Sequence, residues 1–163
     1  MYRGIRNPQS NILLGKSWDK RKPMDTPIVN QNMLDKKLKD AGFSALRSNS
    51  IFCTSDISFA GNYSYGYIYV IFQVDGFSYM WSSYIHDFYY QFVFWKNVGK
   101  LSEIENMPAD KFVAEFGFEN NRGMVGALKS KNEICISGAY VAIEVSSTSW
   151  DNIQELIGVS NDR

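Results

Sequence analysis

Apolar positions along the chain follow two templates. In "YIYVIFQV", Tyr67 to Val74, nearly every side chain is aromatic or β-branched, which predicts a central strand. In "NQNMLDKKLKDAG", Leu34, Leu38 and Ala41 recur at i, i+4 and i+7, and Gly42 supplies a stop. That spacing predicts an amphipathic helix with its basic face outward. The remaining segments divide on the same templates. Met1 to Arg6 predicts a short strand halted by Asn7 and Pro8. Residues 7 to 29 are polar and carry Pro8, Pro23 and Pro27, which predicts a long loop with a short strand at Ile12 to Leu14. Long ordered loops tend to be functional. Ile51 to Thr54 reads as a strand, followed by a short helix from Asp56 to Asn62 capped by Ser55 or Asp56. Gly76 turns the central strand into "FSYMW". The aromatic run "YIHDFYYQFVFWKNV" fits either template and is assigned to helix. "PADKFVAEF" joins a leading Pro to an acidic first turn, which predicts a helix start. A further short helix is expected around Gly123 to Lys129. "NEICI" and "AYVAIEV" predict two strands joined by a tight turn at Ser137 and Gly138. In "TSWDNIQELIG", Thr148 and Asp151 have capping-box spacing, and Trp150, Ile153 and Ile157 share a face.

Helices and strands are mixed without strict alternation, and several strands fall late and adjacent, so the fold class expected is α+β. A length of 163 residues suits one domain spanning 1–163. Composition sharpens this: 45% apolar and 15% aromatic residues favour strands and a well-filled core. With 17 basic and 17 acidic residues the formal charge is zero, so no global pull toward nucleic acid or anionic membrane follows. The one basic cluster, "KSWDKRKP" from Lys16 to Pro23, reads as a solvated loop. The start, "MYRGIRNPQS", lacks the apolar segment of a signal peptide, and no apolar run approaches the ~18 residues of a membrane-spanning helix. Cys53 and Cys135 make no disulfide framework; both lie in apolar runs, as reduced thiols in a cytoplasmic protein do.

Candidate chemistry begins with what is missing. His86 is the only histidine and sits beside Asp87 in an aromatic run, which reads as structural. No cluster of His, Cys or carboxylates has metal-ligand spacing, and no Gly-rich phosphate loop occurs. Three short segments remain. "YRG", Tyr2 to Gly4, puts an Arg inside a strand, where it needs a partner; a phosphate is one, and water at a sheet edge is the plainer alternative. "FCTSD", Phe52 to Asp56, ends a core strand with a thiol, two hydroxyls and a carboxylate, which is either a helix cap or the edge of a cleft. "KNEICI" places Glu133 at the mouth of a buried strand, or alternatively facing solvent.

In this order the three segments resemble the mono-ADP-ribosyltransferases. That family carries an Arg in its first strand, then a Ser-Thr-Ser strand, then a Glu opening a late strand. Tyr2-Arg3-Gly4 is similar to the first element. "FCTSDISFA" is similar to the second, with Cys53, Thr54 and Ser55 at the Ser-Thr-Ser positions. Glu133 before "ICI" is similar to the third. The likeness spans residues 1 to about 145 and is closest to small phage-encoded or bacterial members.

The resemblance implies two facing, strongly bent β-sheets with flanking helices and NAD in the cleft between them. It implies cleavage of the nicotinamide–ribose bond and transfer of ADP-ribose to a protein or nucleic acid acceptor, in the cytoplasm of a host cell if phage-encoded. Glu133 would stabilise the positive charge spreading onto the ribose, and Arg3 would hold the phosphates or ribose. The Gly4 backbone would approach the nicotinamide amide. Cys53, Thr54 and Ser55 would line the pocket, with Thr54 and Ser55 fixing the Glu and the ribose. Tyr63 or Tyr65 would stack on nicotinamide. Lys131 stands where arginine-modifying members carry Glu, so its charge bears on acceptor choice. No metal is implied. An NAD glycohydrolase would need the same Arg and Glu. A tRNA 2′-phosphotransferase would need a catalytic His that His86 does not supply. A non-catalytic binding or virion-associated protein that kept the fold is the alternative of a different class.

Overall fold

The computed structural model describes residues 1–22, 26–63 and 67–145. Within them the fold is α+β, with two four-stranded sheets. The first sheet has the order β1 (Tyr2–Gly4), β4 (Ile68–Gln73), β8 (Ala139–Glu144), β2 (Ile12–Lys16). The second has the order β3 (Ile51–Cys53), β7 (Ile134–Ser137), β5 (Ser78–Ser82), β6 (Phe118–Asn120). Every strand pairing is antiparallel. The helices are α1 (Ile28–Asp40), α2 (Ile57–Gly61), α3 (Phe88–Asn97), α4 (Leu101–Asn106), α5 (Ala109–Glu115) and α6 (Met124–Ser130). A 3-10 turn covers Arg47–Asn49.

The second sheet is the middle layer. Successive strand residues point to opposite faces. On β5, Tyr79 and Trp81 join a core shared with Tyr69, Ile71 and Ala142 of the first sheet, while Met80 faces the other way. On β7, Ile134 and Ile136 take the inter-sheet side and Cys135 the opposite one. That opposite side meets the helices through Leu34 and Leu38 of α1, Phe88, Phe92 and Trp95 of α3, Ile104 of α4 and Phe112 of α5. The rings of Phe88 and Phe112 stack on Phe118 of β6 at 5.5 and 5.3 Å. These contacts explain why the ambiguous aromatic run is helical from Phe88 to Asn97, with Tyr84 to Asp87 left outside and Asp87 as its cap: Phe88, Phe92 and Trp95 recur at i, i+4 and i+7 and are all buried.

Several expectations change in detail. Asp56, and not Ser55, caps α2: its carboxylate accepts from the N–H groups of Ser58 (2.9 Å) and Phe59 (3.1 Å). The basic face of α1 is not wholly outward. Lys36 and Lys39 are exposed, but the buried Lys37 ammonium donates to the carbonyls of Glu105 and Met107. β7 and β8 are not joined as a hairpin. Ser137 ends a strand of the second sheet, and Ala139 begins one in the first, so the chain crosses between layers at Gly138. Gly138 has φ +135°, and a Cβ there would meet the Phe77 backbone Cα at 2.9 Å, so only glycine fits the crossing. α4 and β6 were not expected from the sequence at all. The helix expected over Thr148 to Gly158 lies outside the described residues.

Candidate functional site

The two sheets are stitched at their edges. β1 is the edge of one and β3 the edge of the other. Between them the Tyr2 N–H donates to the Thr54 carbonyl (2.7 Å), and the Thr54 N–H donates to the Tyr2 carbonyl (3.0 Å). This one bridge brings "YRG" against "FCT". Beside the seam lies a cleft of about 540 Å³, lined among others by Arg3, Gly4, Cys53, Thr54, Tyr63 and Glu133. Six residues singled out in the sequence therefore converge: five from the three distant segments, and Tyr63 from just after the second. Pockets of a few hundred Å³ with a few convergent polar groups are the usual form of small-molecule sites.

Glu133 is set by its backbone. Its N–H donates to the His86 carbonyl at 2.9 Å, and the neighbouring Asn132 donates from Nδ2 to the Ser82 carbonyl at 2.8 Å. The carboxylate is buried, not solvent-facing, and meets the Cys135 thiol, which faces the helical side of β7. Its Oε1 accepts from the Arg47 guanidinium in a buried ion pair and from the Cys135 thiol at 3.5 Å. Burial pushes the Glu133 carboxyl above its ordinary range, and the Arg47 charge opposes that rise.

Arg47 is the residue the sequence did not flag. It opens the 3-10 turn, and Asp35 of α1 fixes that turn: the carboxylate accepts from the N–H groups of Arg47 (2.8 Å) and Ser48 (3.1 Å). A second missed arginine, Arg21, comes from the loop read as solvated. Its N–H donates to the Ser48 carbonyl at 2.6 Å, and its carbonyl accepts from Gln31 Nε2 at 3.1 Å. Lys16, Lys20 and Lys22 of the same cluster are exposed as expected, but Arg21 turns inward to line the cleft. Burial and the nearby Arg3 and Arg47 charges lower the Arg21 guanidinium to about 10, so it stays a cation at neutral pH.

Phe52 organises the three arginines. Its ring lies 3.9 Å from Arg21 Cζ and 4.2 Å from Arg47 Cζ, which is cation–π contact, while its carbonyl accepts from Arg3 Nη1 at 3.1 Å. Only Glu133 pairs with this cluster in an ion pair among the described residues. Arg47 Nε and Arg21 Nη1 are buried with no hydrogen-bond partner among the described residues. Buried donors without partners are costly, and a turn of either guanidinium toward an anion in the cleft would relieve that cost.

The other candidates fall around this centre. Tyr63 lines the cleft and donates its hydroxyl to Asp87 Oδ2 at 2.8 Å; burial foremost, and then this bond to a carboxylate, raise its pKa. Cys53 is buried in the cleft wall, and burial pushes its thiol to about 11, so it stays protonated and poorly nucleophilic. Thr54 faces the cleft, but its hydroxyl donates to the Lys131 carbonyl at 2.9 Å and does not reach Glu133. The Ser55 hydroxyl donates to the Leu128 carbonyl of α6, away from the cleft lining. Lys131 is exposed in the left-handed region (φ +63°) at the end of α6, with its ammonium 3.4 Å from Asp56 Oδ2. Tyr65 lies outside the described residues. His86 contacts Asn132 Oδ1 (3.2 Å) and packs on Phe59, a structural position. Among the described residues no group of three His, Cys, Asp or Glu is placed to hold a metal ion. No described helix is long and apolar enough to cross a membrane.

Compared with family models, curated proteins and solved structures, the chain matches none.

Proposed function

We propose that the protein is an NAD-dependent mono-ADP-ribosyltransferase, with the cleft at the seam of the two sheets as its active site and the two sheets as an ADP-ribosyltransferase-like arrangement. The observation that carries this reading is the convergence of Arg3, Gly4, Cys53, Thr54 and Glu133 on one cleft from segments far apart in sequence. A buried carboxylate beside a cluster of arginines is the pairing the chemistry needs. The diphosphate of NAD carries negative charge for Arg3 and its neighbours. The ribose gains positive charge as its bond to nicotinamide breaks.

In that step the C1′–N bond electrons leave with nicotinamide, which becomes neutral, so no strong general acid is required. Glu133 stabilises the oxocarbenium character at the ribose and accepts a hydrogen bond from a ribose hydroxyl. The acceptor nucleophile, on a protein or a nucleic acid, then forms a bond to C1′ and loses its proton. Tyr63 supplies an aromatic face at the cleft for the nicotinamide ring. No metal takes part in these steps.

The deciding experiment is nicotinamide release from NAD by the purified protein, with and without cell lysate. Release only with lysate fits transfer to a macromolecule, and equal release without it fits a glycohydrolase. The absence of release in both sinks the enzymatic reading and leaves a binding protein.

A further inference from the structure

Arg47 has two claims on it. One guanidinium nitrogen, Nη1, is committed to Glu133, while Nε is buried without a partner among the described residues, on a side chain that lines the same cleft. The side chain is 5% exposed, so water does not make up the deficit. Arg21 repeats the pattern: its Nη1 is buried and unpartnered among the described residues, and its guanidinium shares the Phe52 ring with Arg47. Two cations therefore converge on one ring with free donors, and Arg3 is anchored at the same residue's carbonyl. Two guanidinium groups with donors to spare, once turned toward the cleft, suit a diphosphate, whose oxygens each accept several hydrogen bonds. Glu133, the other claimant on Arg47, presents a single negative charge.

We propose that Arg47 is a positioning residue that changes partner. In the structure it holds Glu133; when a diphosphate group enters, Arg47 turns to the phosphate oxygens and leaves the Glu133 carboxylate free to face the rest of the ligand. The proposal rests on the NAD reading for the identity of the ligand, since NAD carries a diphosphate next to the ribose that Glu133 must reach. It links phosphate binding to release of the carboxylate, so a ligand without phosphates leaves Glu133 engaged. The turn of Arg47–Asn49 that carries Arg47 is tied by its backbone to Asp35, so the side chain can move while the main chain stays.

The coupling is reciprocal by linkage: whatever diphosphate does to the Arg47–Glu133 pair, the pair does to diphosphate. The test uses inorganic diphosphate on the full chain, without NAD. In wild-type protein the arginine Nε–Hε signal of Arg47, assigned by its loss in Arg47→Lys, is expected to shift on adding diphosphate. A structure with diphosphate bound is expected to show Arg47 on phosphate oxygens and separated from Glu133. Glu133→Gln, which removes the competing charge, is expected to bind diphosphate on the order of tenfold more tightly, and Arg21→Gln more weakly. Since Arg47→Lys can destabilise the fold, the wild-type structure carries the decision. Diphosphate that does not bind at millimolar concentration, or that binds with the Arg47–Glu133 pair intact, overturns the proposal. Nicotinamide release with the pair intact would sink this switch and keep the NAD reading. Arg47 movement without nicotinamide release would do the reverse.

Discussion

Two ion pairs flank the same short stretch of chain, and they live under different physics. Lys131 meets Asp56 at the surface, with side chains 64% and 26% exposed. Two residues on, Glu133 meets Arg47 at 9% and 5% exposure. The first pair is screened by water and salt, and holds two mobile side chains at an entropic cost that offsets most of its attraction. In the second, the desolvation of both charges has already been incurred, so each ion depends on the other. The path from Lys131 to Glu133 thus runs from the rim of the site to its interior. The same carboxylate chemistry becomes a cap at Asp56 and a reactive candidate at Glu133.

The largest effect should come from breaking the buried pair. Arg47→Gln leaves Glu133 buried without its cation and should cost about 3–5 kcal/mol of stability, read from urea unfolding. The double variant Arg47→Met with Glu133→Leu should recover most of that loss, because a well-packed apolar pair needs no desolvated charge. A small loss in Arg47→Gln would mean that the pair is wet in solution. Lys131→Ala, the matching cut at the rim, should leave the unfolding midpoint within error.

Next comes activity. If Glu133 acts mainly in the transition state, Glu133→Gln should lower turnover by roughly 100-fold or more without weakening NAD binding. Arg3→Ala should instead raise KM. Full activity in Glu133→Gln would move the reactive carboxylate elsewhere and leave the buried pair as structure alone.

The comparison also explains what could be read in the sequence. Most helices were legible because apolar periodicity reflects burial directly, and the central strand β4 because a continuous β-rich run leaves few alternatives; together they gave the α+β class. Arg3 and Glu133 were legible because each puts a charge at a strand that otherwise reads apolar, a local conflict visible from neighbours alone. Arg47 and Arg21 were not. "ALRSNS" and "KSWDKRKP" have loop composition, and what buries their arginines is Asp35 twelve residues before Arg47 and the Ser48 carbonyl reaching Arg21 across the fold. One signal was present: Asp35 is a lone acid inside the lysine-rich middle of α1, and it is buried. The crossing at Gly138 was missed for a related reason. A strand–glycine–strand pattern does not say whether the second strand pairs with the first, and here the close approach of Phe77 decides it.

Acid titration should separate the two carboxylates by sign. Burial raises Glu133, against the opposing charges of Arg47 and Arg21 and with help from Asp87, so its folded pKa lies above its ordinary 4.5. Its contribution to stability is therefore present below about 4.5 and is lost as pH rises through the folded value. Asp56 runs the other way. The Phe59 N–H, foremost, and then Lys131 hold it below its ordinary 3.8, so its contribution is present above 3.8 and is lost as pH falls. Glu133→Gln should reduce the loss of stability on the rising side, where Asp35, also raised by burial, keeps a share, and Asp56→Asn should reduce the loss on the falling side, in unfolding curves measured from pH 3 to 8. An acid limb of turnover above 4.5 that climbs further in Arg47→Lys would tie the same titration to catalysis, because a weaker ion pair leaves the carboxyl higher.

The smallest effect on stability is expected at the rim, where the effect on specificity is the more informative one. Lys131 sits beside the cleft-lining strand end, since its carbonyl accepts from Thr54. A positive charge there repels the guanidinium of an arginine acceptor and attracts a carboxylate or phosphate. Arginine and small guanidino compounds should therefore be poor acceptors for the wild type, and Lys131→Glu should improve them. The substitution adds no backbone strain, because Lys131 already occupies the left-handed region without being glycine. It does place a second carboxylate near Asp56, which raises the negative potential at the rim and works in the same direction. Labelling of an arginine analogue by wild type and Lys131→Glu, side by side, checks this. Efficient labelling by the wild type would remove Lys131 from acceptor choice, and so would equally poor labelling by both; either result would make the surface pair a cap support for α2 and nothing more.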